Sequence, residues 1–304
     1  MIAVLLILLA LLAAPFVGEA LRRPMSAEAR RQAEGKFVTL SLGVTHYDWI
    51  GPADAPVAVC VHGLTTPCFV WRGIAQGLVA MGYRVLIYDL YGRGYSDRPR
   101  GPQDRAFFLG QLDDLLASQN VTGPITLLGY SMGGRIAAAW AADNPDRIQQ
   151  LILIASAGVM VAPGRLATFI RGTPIFGDWL MYAFFPRNHR KETELERDLP
   201  SSVDNIVDRQ QEELHYRGFV PAVLRSFRGI LSSTAEADHR ALGAAGVPVL
   251  AIWGGDDPLI PKSSAGRVAE WNHDVRQEVI DNAGHGVTYT HTPEVLATIR
   301  EHSV

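Results

Sequence analysis

Residues 125–142 read ITLLGYSMGGRIAAAWAA, a short apolar run followed by a segment rich in small residues. Apolar runs of about four to eight residues are typical of buried strands, whereas alanine is the strongest helix former. Between the two segments lies the pattern G-x-S-x-G, with Ser131 at its centre. Glycines at 129 and 133 permit a sharp turn from strand to helix, and such a turn exposes the serine hydroxyl. The stretch therefore predicts a nucleophile at the end of a buried strand.

The same alternation of short apolar runs and longer helical stretches extends to both sides of this turn. Strands are predicted at residues 37–42, 44–49, 57–61, 84–89, 125–129, 151–155, 247–253 and 277–280. Continuous apolar strands separated by helices are typical of a parallel sheet covered on both faces. The first two strands turn at Gly43 and predict an antiparallel pair. We therefore expect an α/β fold with an eight-stranded, mostly parallel sheet and helices on both faces.

The regular spacing breaks after residue 158, and the next apolar run begins only at residue 247. The residues between are rich in charged and aromatic side chains and are punctuated by prolines, which interrupt regular elements. This stretch predicts a helical cap inserted into the core. We expect the core to comprise residues 37–158 and 241–304, with the cap at residues 159–240.

A serine hydroxyl is a poor nucleophile at neutral pH, so Ser131 needs a neighbouring base and a carboxylate that orients this base. His285 fits the first role, because it follows the last predicted strand in the sequence NAGHG, whose small residues leave room for the imidazole. Two carboxylates compete for the second role. Asp256 and Asp257 both follow the strand at 247–253, and active-site loops lie at the carboxyl ends of such strands.

Together these motifs resemble those of the α/β-hydrolase superfamily, in its serine hydrolase branch, from the first predicted strand to the end of the chain. The order of nucleophile, acid and histidine in that family is met by Ser131, Asp257 and His285. The family pattern W-G-x-x-D-x-x-x-P begins here at Trp253 and implies Asp257 as the acid. Asp256 is then expected to face solvent or to bond within the loop.

The resemblance also interprets the sequence VHGLT at residues 61–65. In this family the backbone N–H after His-Gly and the N–H after the nucleophile stabilise an oxyanion together. This implies Leu64 and Met132 as the oxyanion hole. His62 itself is expected to be a structural brace of the loop.

Residues 89–99, DLYGRGYSDRP, are similar to the D-x-x-G-x-G-x-S-x-x-P loop of the superfamily. We expect the glycines of this loop to turn the chain near the site. Arg93 and Asp97 are expected to form local ion pairs, and no residue of the loop is expected to be catalytic.

The composition excludes several classes of protein. A net charge of −3 and a pI near 6.3 supply no basic field, so we exclude nucleic acid as a partner. Cys60 and Cys68 are too few for a disulfide framework and are expected to be free thiols. The histidines are scattered singly and C-x-x-C is absent, so we expect neither a metal site nor a cofactor.

The amino-terminal residues 2–17, IAVLLILLALLAAPFV, are uncharged and almost wholly apolar, although the run is shorter than the roughly 20 residues that span a bilayer comfortably. Arginines follow this run and none precedes it. The positive-inside rule therefore favours an uncleaved anchor with a cytoplasmic catalytic domain. The sequence GEA at 18–20 resembles a small-x-small cleavage site, which leaves a secreted or periplasmic enzyme as the alternative. We assign residues 1–20 to an anchor or signal and residues 21–36 to a linker.

The expected reaction is hydrolysis of a carboxylic ester by way of an acyl-enzyme on Ser131. Relatives that are dehalogenases or epoxide hydrolases carry aspartate at this position, and the resemblance therefore excludes them. The apolar run at 176–185 lines an acyl pocket, rests on a membrane or packs on the core. Together with the amino terminus, it favours lipid-like esters, as in monoacylglycerol lipases and esterases. Carbon–carbon bond hydrolysis, cofactor-free perhydrolysis or haloperoxidation, and a ligand-sensing receptor with this fold are the alternatives.

Overall fold

The computed structural model describes residues 1–159 and 164–303 and contains one sheet of eight strands. The strands are β1 (Lys36–Leu40), β2 (Gly43–Ile50), β3 (Val57–Val61), β4 (Arg84–Tyr88), β5 (Ile125–Tyr130), β6 (Ile148–Ile154), β7 (Val249–Gly254) and β8 (Arg276–Ile280). Their order in the sheet is β1-β2-β4-β3-β5-β6-β7-β8. β2 pairs antiparallel with β1 and β4, and the other neighbours are parallel. The expected α/β architecture is confirmed.

β6 begins at Ile148, earlier than the predicted start at Leu151. The apolar pattern misses this part because Gln150 interrupts it. Gln150 is nevertheless buried, and its side-chain amide donates a hydrogen bond to the carbonyl of His302 at 2.7 Å. A buried amide is tolerated when it has such a partner, and this partner comes from the far end of the chain.

The helices that the structure describes follow the predicted alternation. They are α1 (Ile2–Ala20), α2 (Arg72–Ala80), α3 (Arg105–Ser118), α4 (Met132–Asp143), α5 (Arg165–Gly172), α6 (Phe176–Glu194), α7 (Ile206–Glu212), α8 (Phe219–Arg228), α9 (Glu236–Ala244), α10 (Ser264–Trp271), α11 (Val287–Thr290) and α12 (Thr292–Glu301).

Two apolar clusters form the core, one on each face of the sheet. Alternate residues of β3 point to opposite faces: Val59 and Val61 join one cluster, whereas Ala58 and Cys60 join the other. The first cluster packs beneath α3, α4 and α10, and the second packs beneath α2, α11 and α12. Burial on both faces explains why the central strands are continuous apolar runs.

Helices α5 to α9 lie between β6 and β7 in the chain. We call α5 to α8 the cap helices, because α6 packs on both α5 and α8, whereas α9 packs on α4 of the core. The cap helices have an apolar cluster of their own, which includes Met181, Phe219 and Val223. Leu64 packs against this cluster from the loop after β3. The predicted cap begins at residue 159, and residues 160–163 lie outside the described residues.

Helix α1 is 19 residues long, and its length and apolar composition are sufficient to cross a membrane. Most of its side chains are exposed, but its last turn packs against the cap helices. The rings of Phe16 and Tyr182 meet edge to face with centroids 5.5 Å apart. The carboxylate of Glu19 accepts a hydrogen bond from the N–H of Gly218 at 2.6 Å. The carboxyl end of α1 is therefore fixed to the folded domain.

Candidate active site

Ser131 lies at the junction of β5 and α4, with a φ of 54° that side chains rarely adopt. Its N–H donates to the carbonyl of Ile154 at 3.0 Å, and this bond holds the turn against β6. The turn leaves no room for neighbouring side chains. A Cβ at Gly129 would lie 2.5 Å from the oxygen of Gly133, and one at Gly133 would lie 2.0 Å from the oxygen of Val61. The strand-to-helix turn that the glycines predict is present.

His285 and Asp257 meet Ser131 in one hydrogen-bonded chain. The Nε2 of His285 lies 3.0 Å from the Oγ of Ser131, and its Nδ1 lies 2.8 Å from the Oδ2 of Asp257. The Asp257 side chain is 1% exposed, whereas that of His285 is 19% exposed. When Nδ1 donates its proton to the buried carboxylate, the lone pair of Nε2 faces the serine hydroxyl. An imidazole in this tautomer is able to accept the hydroxyl proton.

The loop after β7 separates the roles of the two neighbouring aspartates. The Oδ1 of Asp257 accepts hydrogen bonds from the N–H groups of Leu259 and Ile260 at 2.8 and 2.9 Å. These bonds orient the carboxylate and leave Oδ2 for the imidazole. Asp256 is exposed, and its backbone N–H donates to the carbonyl of Ala283. The structure thus places Asp257, and not Asp256, against His285.

Of the two predicted oxyanion donors, Met132 directly follows Ser131, and Leu64 lies in the loop after β3. Met132 is the first residue of α4, so its N–H has no acceptor within the helix. In the part of the chain that the structure describes, neither the Met132 N–H nor the Leu64 N–H donates to a backbone carbonyl outside the helices and strands. Gly63 lies in the loop after β3 and allows this loop to approach Ser131, because a Cβ at Gly63 would lie 3.3 Å from the Cβ of Ser131. Two amides are therefore available to bind an anionic oxygen.

His62 is fully buried beneath the same loop. Its Nε2 accepts a hydrogen bond from the N–H of Leu90 at 2.9 Å, and its Nδ1 lies 2.8 Å from the carbonyl of Gly63. Burial lowers the pKa of His62 to about 4, so the ring is neutral at physiological pH. One nitrogen accepts while the other donates, and neither is free to act as a base. This geometry is that of a brace.

The prediction of local ion pairs in the loop at 89–99 is wrong for Arg93 and Asp97. Arg93 is completely buried and has no carboxylate within ion-pair distance among the described residues. Its guanidinium instead donates to the carbonyl of Leu64 at 3.0 Å and to the hydroxyl of Ser226 at 2.7 Å, which ties the loop after β3 to α8. Burial lowers the pKa of Arg93 to about 9. Asp97 pairs with Arg30, which is distant in sequence, at 2.5 Å.

Three further side chains, which no sequence pattern singles out as functional, lie around the loop that contains His285. The hydroxyl of Tyr130 donates to the carbonyl of His285 at 3.0 Å. The hydroxyl of Tyr289, in α11, donates to the carboxylate of Glu196 at 2.5 Å. Burial raises the pKa of Glu196, although the Tyr289 bond and the charge of His285 act in the opposite direction. Glu196 follows α6, so a carboxylate from beyond the cap helix contacts the helix that follows the histidine. Only Tyr130 lies in a recognisable motif, as the second residue of G-x-S-x-G.

A second polar cluster consists of His46, Cys68 and Asp89, all buried. The Nδ1 of His46 lies 2.7 Å from the Oδ2 of Asp89, and its Nε2 contacts the carbonyl of Glu34. The N–H of Cys68 donates to the Oδ1 of Asp89 at 2.8 Å. The three candidate ligand atoms lie within 4.8 Å of one another. However, both imidazole nitrogens and both carboxylate oxygens already have partners, so we assign this cluster as an internal ion pair.

Residues 56–292 match the family described as alpha/beta hydrolase fold. The pimeloyl-[acyl-carrier protein] methyl ester esterase of Aeromonas hydrophila is 30% identical over 261 residues, which cover 83% of this chain and 96% of the esterase. The 2-hydroxy-6-oxononadienedioate/2-hydroxy-6-oxononatrienedioate hydrolase of Cupriavidus pinatubonensis is 26% identical over 265 residues, which cover 84% of this chain and 90% of that hydrolase.

A solved structure shares the fold over nearly the whole chain. It is the crystal structure of a membrane phospholipase A, described as a bacterial virulence factor, with a TM-score of 0.73 and 22% identity. The similarity covers 99% of this chain and 96% of the phospholipase. The family match spans most of the chain and includes the strands that carry Ser131, Asp257 and His285. The protein belongs to the α/β-hydrolase family.

Proposed function

We propose that the protein is a serine hydrolase that cleaves carboxylic esters through an acyl-enzyme on Ser131. The observation that carries this proposal is the chain of hydrogen bonds from Ser131 to His285 at 3.0 Å and from His285 to Asp257 at 2.8 Å. A nucleophile, a base and a buried carboxylate in this order are the groups that acyl transfer requires. The amides of Leu64 and Met132 supply the fourth requirement, a site for the oxyanion.

In the proposed reaction, the Nε2 of His285 takes the hydroxyl proton as the Oγ of Ser131 attacks the ester carbonyl. The carbonyl oxygen becomes an anion that the Leu64 and Met132 amides bind. The alcohol leaves with the proton from His285, and the acyl group remains on Ser131. Water, deprotonated by His285, then releases the acid and restores the serine. Asp257 orients the imidazole and stabilises its positive charge in both steps.

The proposed substrate is a lipid-like ester. Large apolar side chains are exposed on α5, on α6 and between them, namely Leu166, Phe169, Ile175, Phe176 and Phe184. Exposed apolar groups of this density are found where proteins contact membranes or apolar ligands. The name of one similar protein, a methyl ester esterase, supports an ester substrate, and the name of another, a membrane phospholipase A, supports a lipid ester.

Hydrolysis of a carbon–carbon bond on the same triad is the second candidate. It is favoured by the similarity to the Cupriavidus hydrolase, whose name denotes action on a 2-hydroxy-6-oxo dienedioate. Such a substrate carries two carboxylates, which would need cationic partners above Ser131. The apolar cluster of the cap helices that packs on Leu64 favours the ester instead.

We further propose that α1 is an uncleaved membrane anchor and that the catalytic domain is cytoplasmic. The helix is long and apolar enough to span a bilayer, and only 6% of it is buried in the protein. Arg22 and Arg23 follow it directly, which favours a cytoplasmic carboxyl end. The contacts of Phe16 with Tyr182 and of Glu19 with Gly218 support retention of the helix, because cleavage after residue 20 would remove them.

Labelling with a fluorophosphonate tests whether the serine is activated. We expect wild-type protein to react and Ser131→Ala to remain unlabelled, with circular dichroism spectra that coincide. Ser96→Ala is not a suitable control because Ser96 is buried and hydrogen-bonded to Asp89. Ser303→Ala, near the carboxyl end, is a better matched serine variant and should label normally. An unreactive wild type would contradict the enzyme proposal and favour a ligand-sensing role.

A substrate panel then distinguishes the reactions. p-Nitrophenyl esters of increasing chain length, monoacylglycerols, 2-hydroxy-6-oxo dienoates and a peroxide assay are compared under the same conditions. We expect kcat/KM to be highest for a monoacylglycerol or a long p-nitrophenyl ester. A higher value for the dienoate would replace the ester proposal with carbon–carbon hydrolysis, and peroxide-dependent turnover would indicate perhydrolysis.

Protease protection tests the topology. In intact spheroplasts, we expect external protease to leave the catalytic domain whole, whereas in inverted vesicles the domain should be digested. The reverse pattern would place the domain outside the cytoplasm. Release of the domain by alkaline carbonate would show that α1 is not an integral anchor.

A further inference from the structure

An open cavity of about 350 Å³ lies where the carboxyl end of α1 meets the folded domain. Its walls come from α1, from the loop that follows β4 and from the start of α8. Phe16 and Ala20 line it on the α1 side. Arg98, Arg100, Arg217 and Arg225 also line it. One cavity thus joins an apolar wall to a set of guanidinium groups.

Glu19 also lines the cavity and interacts electrostatically with Arg217, but three of the four arginines have no close ion pair among the described residues. Among residues 1–159 and 164–303, no carboxylate lies within ion-pair distance of Arg100, Arg217 or Arg225. Arg217 and Arg225 each donate one long hydrogen bond of 3.3 Å, to the carbonyls of Ala20 and Pro99 respectively. Most of their donors are therefore free to bind an anion, and a planar guanidinium matches the geometry of phosphate.

The acidic side chains of the cavity already have partners. Glu19 pairs with Arg22 at 3.0 Å, and Asp97 pairs with Arg30 at 2.5 Å. Arg98 lines the same cavity and is largely buried, with its side chain 8% exposed and a carboxylate 3.6 Å away. Its Nε is buried without a hydrogen-bond partner in the described part of the chain. The guanidinium also donates to the carbonyls of Ser96 and Gly94. Arg98 therefore contributes positive charge to the cavity, and the donors available to an anion are those of Arg100, Arg217 and Arg225.

The position of the cavity along α1 indicates the source of the anion. Each helical residue advances about 1.5 Å, so Phe16 lies only about 6 Å before the end of the helix at Ala20. If α1 spans a bilayer, Phe16 lies among the acyl chains, and the arginines lie at the level of the headgroups. A phospholipid has the same order of parts, with a phosphate above apolar chains.

We propose that this cavity binds the headgroup phosphate of an anionic phospholipid, whose acyl chains lie along α1 beside Phe16. The inference rests on the proposed insertion of α1 in a membrane, but it does not depend on the proposed reaction at Ser131. Free phosphate offers the same anionic oxygens. The lipid is the occupant to which we commit, because only a lipid also contacts the apolar wall. Anionic lipids are concentrated in the cytoplasmic leaflet, which is the leaflet that the proposed topology places at this end of α1.

The test measures thermal unfolding of the full-length protein in nonionic detergent micelles as lipid is added. Ser131→Ala is the background, so that lipid is not consumed. We expect short-chain phosphatidylglycerol to raise the Tm in a saturable way, because a ligand that binds the folded state stabilises it. Short-chain phosphatidylcholine should give a shift less than half as large. Inorganic phosphate at the same concentration should give almost none.

Charge-neutral variants locate the binding site. Arg100→Gln with Arg225→Gln should weaken the apparent affinity for phosphatidylglycerol about tenfold or more, the effect of removing charge-assisted hydrogen bonds. The matched control is Arg267→Gln with Arg276→Gln, two exposed arginines near β8 at the other edge of the sheet, which should bind as the parent does. Arg100→Gln alone is the milder variant if the double variant is unstable, since Arg100 is exposed.

Several results would overturn the assignment. Equal shifts by phosphatidylglycerol and phosphatidylcholine would remove the role of the anionic headgroup, and an equal shift by inorganic phosphate would make the site one for a free anion. Unchanged affinity in Arg100→Gln with Arg225→Gln would place the lipid elsewhere. Fluorophosphonate labelling of the arginine variants with Ser131 intact reports the reaction separately. Failure of the proposed function and failure of the lipid site are thus distinguishable.

Discussion

Two histidine–aspartate pairs lie in this protein at nearly the same distance and differ in what surrounds them. The Nδ1 of His285 lies 2.8 Å from Asp257, and the Nδ1 of His46 lies 2.7 Å from Asp89. The Nε2 of His285 faces a serine hydroxyl, whereas the Nε2 of His46 faces the carbonyl of Glu34. A carbonyl only accepts hydrogen bonds, so both nitrogens of His46 must carry protons.

The charge state of the His46 ring follows from its partners. Burial by itself lowers the pKa of His46, but the charge of Asp89 and the hydrogen bonds to Asp89 and Glu34 outweigh burial, and the pKa is raised. Burial likewise raises the pKa of Asp89, but the His46 charge and hydrogen bonds outweigh it and the pKa is lowered well below its usual range. His46 and Asp89 therefore form a fixed ion pair. The Nε2 of His285 instead faces a hydroxyl, which both donates and accepts, and this partner is what the proposed proton transfer requires.

Each His–Asp pair has a neighbouring side chain with a hydroxyl or thiol group, and these two groups differ in their position relative to the imidazole. Ser131 is presented to the Nε2 of His285 at a strained turn, whereas the Sγ of Cys68 lies 3.9 Å from the Nδ1 of His46, which Asp89 already occupies. Burial and the charge of Asp89 raise the pKa of the Cys68 thiol well above its usual value. A thiol that does not ionise is not a nucleophile. Cysteine, histidine and aspartate in contact are thus insufficient for catalysis.

The largest expected effect is that of removing the imidazole of His285, the proposed base. His285→Ala should lower kcat for the best ester by about 10⁴-fold to 10⁶-fold, since the residues of a triad act as a unit. The Tm should change little, because the ring is partly exposed and its loop is held by the Tyr130 hydroxyl at the backbone. Initial rates and thermal unfolding are measured on the same preparation. Activity above one tenth of wild type would contradict the role of His285.

A smaller but still large loss is expected from the acid. Asp257→Asn should lower kcat about 10⁴-fold, because an amide favours the wrong tautomer of His285. Asp256→Asn is the matched control, one residue away and exposed, and should retain activity within about twofold. Steady-state kinetics on the two variants compare them directly. A larger loss in Asp256→Asn would exchange the two assignments.

A substitution in the His46–Asp89 pair should lower the stability of the fold and leave the reactivity of Ser131 unchanged. Asp89→Asn leaves a buried imidazolium without its carboxylate, and the loss of one partner from a buried pair costs about 3–5 kcal/mol of unfolding free energy. Chemical denaturation at constant pH measures this loss. Molecules that remain folded should still react with a fluorophosphonate, since Ser131 does not contact Asp89. A stable variant without reactivity would mean that Asp89 acts in the reaction.

The same pair predicts the pH dependence of stability. The pKa of Asp89 is lowered, so its contribution is present above about pH 4 and is lost as the pH falls towards its folded value. The pKa of His46 is raised, so its contribution is complete below about pH 6.5 and is lost as the pH rises through its folded value. Unfolding free energies of wild type and Asp89→Asn, measured from pH 3 to 9, should therefore differ most between about pH 4 and 6.5. A constant difference across this range would exclude a charged pair.

The smallest expected effect is that of the thiol. Cys68→Ala should cost about 1 kcal/mol of stability, as expected for the loss of one buried apolar atom. Its N–H keeps the hydrogen bond to Asp89, and the rate of fluorophosphonate labelling should not change. Labelling reactions that are quenched after several different times measure that rate. A marked fall in the rate would show that Cys68 contributes to the site at Ser131.

Much of the fold was predictable because it depends on local patterns. The apolar runs of β3, β4, β5 and β7 indicate strands that are buried on both faces, and the glycines around Ser131 predict the turn. The start of β6 was missed because Gln150 is buried against a carbonyl from the far end of the chain. Arg93 was misread for a similar reason, since its partners are a loop carbonyl and a hydroxyl of α8. Partners from distant parts of the chain produce no periodic pattern in the sequence.

By itself, the sequence determined the strand order along the chain, the position of Ser131 and the apolar character of α1, because each depends on neighbouring residues. Only the tertiary structure decided which of the two His–Asp pairs faces a serine hydroxyl. It also decided that Asp257 contacts His285 while Asp256 faces solvent, and that several arginines from distant parts of the chain line one cavity with Phe16. The physical reason is common to all three. The charge and reactivity of a side chain depend on the atoms within about 3–4 Å of it, and folding brings these atoms from distant parts of the chain.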